Sequence, residues 1–220
     1  MSLNRYRATP TRGDSAFLLL VYGLALFGLL MISSASVVVS FEQFGSNTVY
    51  LTKQAIFLGI GTIALIATSI IDYRYWRTVA FPLFVATLIL LLAVFTPLGI
   101  HISGAKRWIN LGPILLQPSE LLKLTFIIYL SAWLEKKGKL VASVNQGLMP
   151  LVILIVLVVF IVINQPDLGT AMVVTFIAAI IYFVAGANYA HILASLLTGG
   201  GLFLLLIRTS EYRWARFLTF

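Results

Sequence analysis

The stretch GAKRWINLGPILLQPSELLK, residues 104–123, joins a basic, aromatic loop to an apolar segment that carries Gln117, Glu120 and Lys123. Pro118 suits the first turn of a helix, because its missing N–H would have no partner there in any case. Glu120 would then lie near the positive end of the helix dipole. Since Glu120 and Lys123 are three residues apart, they would share one face, and the stretch predicts a helix with an i,i+3 ion pair.

The chain around these polar groups is strongly apolar. Of its 220 residues, 60% are hydrophobic and 10% are charged, and the mean hydropathy is +1.03. Soluble domains average about 45–50% apolar residues, and the apolar runs here are about 16–26 residues long, enough to cross a bilayer. Because lipid offers no partner to an open backbone, each run is expected to be a helix. The sequence therefore predicts an all-α, polytopic transmembrane bundle with seven spans, at residues 15–40, 51–71, 79–100, 113–134, 148–164, 168–187 and 189–207.

The net charge of +8 is interpreted as a topology signal, because the charges flank the apolar runs. No nucleic-acid partner is expected. An N-terminus in the cytoplasm places the larger number of basic residues on the inner side. The inner set is Arg5, Arg7, Arg12, Arg74, Arg77, Lys136, Lys137 and Lys139, and the outer set is Lys53, Lys106, Arg107, Arg208, Arg213 and Arg216. The prediction is a multi-pass protein of the cytoplasmic membrane, with a cytoplasmic tail at 1–14 and a transmembrane domain at 15–207.

Several function classes find no support in the sequence. The chain has no cysteine, which excludes disulfides and thiolate chemistry. It has no Walker motif and no zinc-protease motif, so an ATP-driven pump or a zinc protease is not indicated. No metal site is predicted.

The charges at membrane depth allow two compatible interpretations. A lone charge there costs at least ~2.5–3.5 kcal/mol on insertion scales, and a facing partner offsets part of that cost. Glu120 and Lys123 are therefore expected to pair and to be buried among helices, as a structural lock for the bundle. Alternatively, the pair lines a polar cavity that opens to the outer side.

The stretch NQPDLGTA, residues 164–171, places Asp167 at an outer junction between two spans. Pro166 breaks the preceding helix, and Asp is a preferred N-cap residue. Asp167 is thus expected either to cap the sixth span or to belong to an outer polar site together with residues 104–123. The loop and this turn should lie on one membrane face, opposite the basic stretch at 135–139.

The loop HISGAKRWIN, residues 101–110, is both basic and aromatic. Lys106 and Arg107 are candidates for holding phosphate, which Arg binds bidentately. Trp108 is a candidate for the same site, or for an anchor at the membrane interface. A plain interfacial belt is the alternative for the whole loop.

Four stretches together resemble the SEDS family of cell-shape, cell-division and sporulation proteins. They are MISSAS at 31–36, GAKRWINLGPILLQPSELLK at 104–123, NQPDLGTA at 164–171 and YFVAGAN at 182–188. Their order and spacing match over essentially the whole chain, and the first and last are most similar to the division branch. By motif, Arg107, Glu120, Lys123 and Asp167 fall on characteristic polar positions of the family.

The resemblance implies a function that composition does not. It implies about ten helices and a peptidoglycan glycosyltransferase that polymerises lipid II at the outer face of the cytoplasmic membrane. The implied partners are lipid II, a class B penicillin-binding protein, other division or elongation proteins and membrane lipids. No covalently bound cofactor is implied, and a divalent cation is compatible with pyrophosphate chemistry. Lys106, Arg107, Trp108 and Asp167 are the predicted substrate-binding residues.

The chain departs from the family pattern at its end. The family's proposed catalytic aspartate lies in a large outer loop, and this chain reads SEYRWARFLTF and stops at Phe220, where that loop should begin. We therefore expect the N-terminal part of a longer protein or a truncated product, in which 208–220 begin the loop. The catalytic residue is expected beyond Phe220, and the chain alone is expected to be inactive. Two other functions stay open, namely a flippase or transporter for lipid-linked precursors and a membrane scaffold for the transpeptidase.

Overall fold

The computed structural model describes residues 15–102, 105–112 and 115–208. The predicted cytoplasmic tail at 1–14 lies outside the described residues, and so does the predicted start of the outer loop apart from Arg208. The chain divides into two compact units, Met1–Asp72 and Tyr73–Phe220.

The first unit holds three helices, α1 (Ser15–Ala35), α2 (Val37–Phe44) and α3 (Val49–Ile70). The prediction of one helix over 15–40 is wrong, because the chain breaks at Ser36 and starts again at Val37. Ser36 Oγ donates to the carbonyl of Ile32 at 2.7 Å, and such local bonds from serine compete with the regular helix ladder. Gly45 ends α2 in the left-handed region, with φ 68°.

The second unit holds helices α4 (Tyr73–Ala93), α5 (Pro118–Lys137), α6 (Met149–Ile163), α7 (Leu168–Val184) and α8 (Tyr189–Arg208). A 3₁₀ segment at Gly138–Ala142 and a π turn at Val144–Leu148 join α5 to α6. Helix α5 packs against α4 and α7, and α6 also packs against α7. Their shared core is apolar and includes Phe84, Leu91, Leu122, Phe126, Leu130, Val158, Val162, Val174 and Tyr182.

A small antiparallel sheet replaces the expected loop between α4 and α5. Its strands are β1 (Gly99–Ile102), β2 (Ala105–Asn110) and β3 (Leu115–Leu116), in the order β1-β2-β3. The predicted helical span at 79–100 therefore ends early, at Ala93, because Pro97 and Gly99 cannot sustain the helix. The predicted span at 113–134 begins late, at Pro118, which occupies the first turn of α5 as expected.

The polytopic helical architecture is confirmed. In the described part of the chain, four helical segments are long and apolar enough to cross a membrane, namely Ser15–Ala35, Val49–Ile70, Tyr73–Ala93 and Val144–Ile163, and Leu168–Val184 is a shorter apolar helix. Each of the seven predicted spans overlaps one long helix among the described residues. Charged residues at both ends of α5 keep it less apolar than its neighbours.

Candidate functional site

Asp167 is the centre of a buried polar cluster at the start of α7. Its Oδ1 accepts the backbone N–H of Thr170 at 3.1 Å, and its Oδ2 accepts the Thr170 hydroxyl at 2.9 Å. The residue is only 6% exposed. These bonds satisfy a backbone donor that would otherwise lack a partner at the helix start. The expected N-cap is therefore observed.

The start of α5 supplies two more donors to the same carboxylate. The Ser119 hydroxyl donates to Asp167 Oδ2 at 3.1 Å, and Gln117 Nε2 donates to the same atom at 3.4 Å. Gln117 Nε2 also donates to Ser119 Oγ at 3.0 Å. The carboxylate thus ties together the first turns of two helices that are far apart in sequence. We call Arg107, Gln117, Ser119, Asp167 and Thr170 the Asp167 cluster.

Arg107 reaches this cluster from a β-bulge. Ile100 pairs with Trp108 while His101 pairs with Lys106, so Arg107 is the extra residue of β2. Bulges redirect a side chain and are frequent beside active sites. The guanidinium Nη1 lies 3.8 Å from Asp167 Oδ1, and the side chain is 27% exposed. Its Nε–H is buried and has no hydrogen-bond partner among the described residues. The exposed part of the side chain can offer its other guanidinium donors to an anion.

Lys106 and Trp108 take different positions from Arg107. Lys106 Nζ donates to the carbonyls of Thr96 at 2.9 Å and of Phe95 at 3.4 Å. It therefore binds the turn that follows the C-terminal end of α4, where a cation is favoured. Trp108 is half-buried in β2. The structure does not bring either side chain into the cluster, and their role in substrate binding stays a prediction.

The ion pair in α5 forms as predicted, with Lys123 Nζ 2.7 Å from Glu120 Oε2. The expectation that the pair is buried among helices is wrong for the described residues, because the side chains are 30% and 56% exposed. The reason is position: Glu120 and Lys123 lie on a side of α5 that the described helices of the second unit leave open, whereas Ser119 and Leu122 face the core of that unit.

The turn before α7 holds a residue that the sequence analysis did not single out. Gln165 is fully buried, and its Nε2 donates to the Leu91 carbonyl of α4 at 2.8 Å. Its Oε1 finds no partner in the part of the chain that the structure describes. Pro166 follows with φ 29°. The only sequence signal was the polar stretch NQPD between two apolar runs.

The sheet and the turn at Asp167 lie at one end of α5 and its basic residues at the other end, as expected, and the membrane faces on which these ends lie stay a prediction. Arg107 lies against Asp167, so the sheet and the turn before α7 share one end of the bundle. The basic end of α5 lies about 30 Å away along a 20-residue helix. There Glu135 binds Arg77 of α4 at 2.9 Å.

The chemistry of the Asp167 cluster is that of an anion holder rather than of a base. Four donors and the nearby guanidinium already occupy the Asp167 carboxylate, which leaves it poorly placed to accept a proton from a substrate. In the described part of the chain, no three His, Asp or Glu side chains come together as a group that could hold a metal ion. Arg107 is the member with donors to spare.

The fold and this site define a polytopic α-helical membrane protein with a polar cluster at the start of two of its helices. Residues 14–220 match the family described as Cell cycle protein, which comprises FtsW, RodA and SpoVE, and the chain belongs to that family. It is 34% identical over 208 residues to the "Probable peptidoglycan glycosyltransferase FtsW" of Trichlorobacter lovleyi, and 33% identical over 211 residues to the stage V sporulation protein E of Bacillus subtilis. The family and the resemblance to its division member, both predicted from sequence, are confirmed.

The same family appears among solved structures. The rod-shape-determining protein RodA of Thermus thermophilus aligns with a TM-score of 0.61 at 31% identity, over 82% of this chain and 59% of that one. A chain from a structure on the coordination of polymerization and crosslinking by a peptidoglycan synthase complex aligns with a TM-score of 0.65 at 32% identity, over 87% and 57%. The alignments with the two curated relatives cover 94% and 96% of this chain but 55% and 58% of theirs, so the chain spans about half their length.

Proposed function

We propose that the protein is a peptidoglycan glycosyltransferase that polymerises lipid II at the outer face of the cytoplasmic membrane during septal wall synthesis. The names of the FtsW relatives support the glycosyltransferase class. The synthase complex among the similar structures, which couples polymerization to crosslinking, supports a class B penicillin-binding protein as partner. Other division or elongation proteins would join this complex.

The observation that carries the proposal is the Arg107 guanidinium. It lies on a bulge beside a carboxylate that other donors already satisfy, and 27% of its side chain is exposed. Such a group is suited to the departing pyrophosphate of a lipid-linked sugar, since preorganised cationic donors stabilise developing negative charge. In this scheme Asp167 and its neighbours hold Arg107 in place. A divalent cation, where the reaction uses one, would arrive with the pyrophosphate.

The proposal assigns the general base to a carboxylate outside the described residues. A base must remove the proton of the attacking sugar hydroxyl. The Asp167 carboxylate already accepts hydrogen bonds from its neighbours, and Glu120 forms an ion pair with Lys123, so neither is placed to act as this base. We therefore propose that the described part of the chain supplies leaving-group binding, and that it does not polymerise lipid II by itself.

Replacing Arg107 tests this proposal. In the full-length protein reconstituted with its transpeptidase partner, Arg107→Ala is expected to lower glycan synthesis from lipid II by about 10²-fold, the usual scale for loss of one transition-state donor. Arg107→Lys should recover part of the rate, because it restores the charge but not the planar fork. The readout is the length and amount of glycan chains on a gel. Arg77→Ala, which removes an exposed ion pair at the other membrane face, is the control, and an equal loss in both variants would contradict the assignment.

A second candidate function is the movement of a lipid-linked precursor across the membrane. It is favoured by the Glu120–Lys123 pair, which stays partly exposed at membrane depth, because intramembrane charges often mark transport pathways. A dequenching assay with fluorescent lipid II in vesicles separates the two functions. If the protein is a transporter, the wild type moves lipid II across the membrane and does not polymerise it. Lys123→Met should then abolish this movement.

The orientation is also a proposal, with the N-terminus in the cytoplasm. The chain has no cysteine, so a single introduced thiol reports its own location. Leu111→Cys, beside the Asp167 cluster, should react with a membrane-impermeant maleimide added outside spheroplasts. Leu140→Cys, at the basic face, should react only after permeabilisation. Both positions are exposed, and the reverse pattern would invert the topology.

A further inference from the structure

An open apolar groove runs along the surface of α6, and α5 borders it only at the end near Trp133. Both helices pack against α7. A cavity of about 250 Å³ lies between Trp133 of α5 and Pro150 of α6, and a neighbouring cavity of about 510 Å³ continues along α6 to Phe160. Ile153 and Leu157 line both cavities, so the two form one continuous groove.

The length of the groove matches one acyl chain of a single membrane leaflet. From Pro150 to the far end at Ile161 is 11 residues along α6, which is about 16 Å at 1.5 Å per residue. This is about half of the ~30 Å hydrocarbon thickness, the depth of one leaflet.

The end of the groove at Trp133 carries positive charge. Lys137 Nζ lies 5.4 Å from the centre of the Trp133 ring, and Lys136 and Lys139 of the same basic stretch are exposed. The nearby carboxylate of Glu135 is bound to Arg77 at 2.9 Å, so it does not neutralise these lysines. An aromatic ring and lysines at the level where an acyl groove ends are the features that hold a lipid headgroup.

We propose that this groove binds an anionic phospholipid of the adjacent leaflet, with one acyl chain along α6 and the phosphate at Lys136 and Lys137. The charge complementarity selects an anionic headgroup, and the apolar lining selects the chain. The site lies at the basic face, at the opposite end of α5 from the Asp167 cluster, and is separate from the proposed lipid II site. Its occupant would fix the basic end of α5 and α6 at the membrane surface.

Native mass spectrometry of the full-length protein from nanodiscs tests this proposal. The nanodiscs contain phosphatidylcholine either alone or mixed with phosphatidylglycerol. We expect retained phosphatidylglycerol on the wild type and about fivefold less on Lys137→Gln, the scale for one lysine at an anionic surface. Ile153→Trp, which fills the centre of the groove, should displace the lipid while the elution volume in detergent stays normal. Lys53→Gln is the matched control, since Lys53 also lies over a ring, 5.2 Å from Phe44, and belongs to the other compact unit of the chain.

Three results would overturn the proposal. Equal retention of phosphatidylcholine and phosphatidylglycerol would remove the anionic preference. An equal loss in Lys53→Gln and Lys137→Gln would show general surface charge rather than a site. A photoreactive residue at position 157 that captures a peptide rather than a phospholipid would assign the groove to protein.

Discussion

Replacing Asp167 with alanine is expected to destabilise the helical bundle by roughly 3–5 kcal/mol. An N-cap alone contributes about 1 kcal/mol. This carboxylate also accepts hydrogen bonds from Ser119, Gln117 and the Thr170 hydroxyl in a buried setting, and each buried donor left without a partner costs about 1–3 kcal/mol. Asp167→Asn should lower the stability by less than Asp167→Ala, because the amide oxygen still accepts hydrogen bonds. Some stability is still lost, because the amide NH₂ group is a donor and faces other donors. The free energy of unfolding of the wild type and of each variant is measured in mixed micelles by circular dichroism.

Asn188→Ala provides the control for that measurement. Asn188 Oδ1 also accepts a backbone N–H near a helix start, from Ala190 at 2.9 Å, but the side chain is exposed. Water replaces the lost acceptor there, so the expected cost is about 1 kcal/mol or less. Equal losses from Asp167→Ala and Asn188→Ala would show that Asp167 is only a cap and that the surrounding donors contribute nothing.

The helical part of the fold was predictable because it depends on local pattern. Apolar runs long enough to span lipid must become helices, and seven of them did. Pro118 marks the start of α5, and Asp167 marks the start of α7, since each residue type has a specific preference for a first turn. The pairing of Glu120 with Lys123 followed from i,i+3 spacing alone.

The sheet and the Arg107 bulge were not predictable by the same reasoning. The strands are two to six residues long and carry no clear alternation of apolar and polar residues. A bulge depends on the register between two strands, which no single stretch encodes. Arg107 therefore looked equivalent to Lys106 in sequence, whereas the register sends one side chain to Asp167 and leaves the other on the turn after α4.

The hydrogen-bond partners of Asp167 could not be predicted from the sequence either. Ser119 and Gln117 lie 48 and 50 residues away in sequence, and only the packing of α5 on α7 brings them together. The exposure of Glu120 follows from packing as well. Side-chain pairs within one helix can be read from spacing, but which face of that helix meets its neighbours depends on how whole helices pack.

Gly99→Ala is the second change with a large expected effect, and it acts on the geometry of the site rather than on its chemistry. Gly99 begins β1 directly after the turn that ends α4. A Cβ built there would overlap the Val94 carbonyl oxygen and lie 2.9 Å from Cε of Lys106. The backbone carbonyl cannot yield as a flexible side chain would. The turn must therefore shift, and Lys106 would lose its bonds to Thr96 and Phe95.

Gly99 is paired with Ile109 of β2, the strand that also carries Arg107. A shift of the turn would therefore move β2 and displace Arg107. We expect a loss of at least about 1–3 kcal/mol from overpacking, together with reduced glycan synthesis in the full-length protein. Gly59→Ala is the matched control, since an added Cβ there meets nothing within 4 Å in the middle of α3. Alanine is favoured over glycine inside a helix by about 0.5–1 kcal/mol, so this variant should be neutral or more stable. If Gly99→Ala instead unfolds at the same denaturant concentration as Gly59→Ala and keeps full activity, the close turn does not position Arg107.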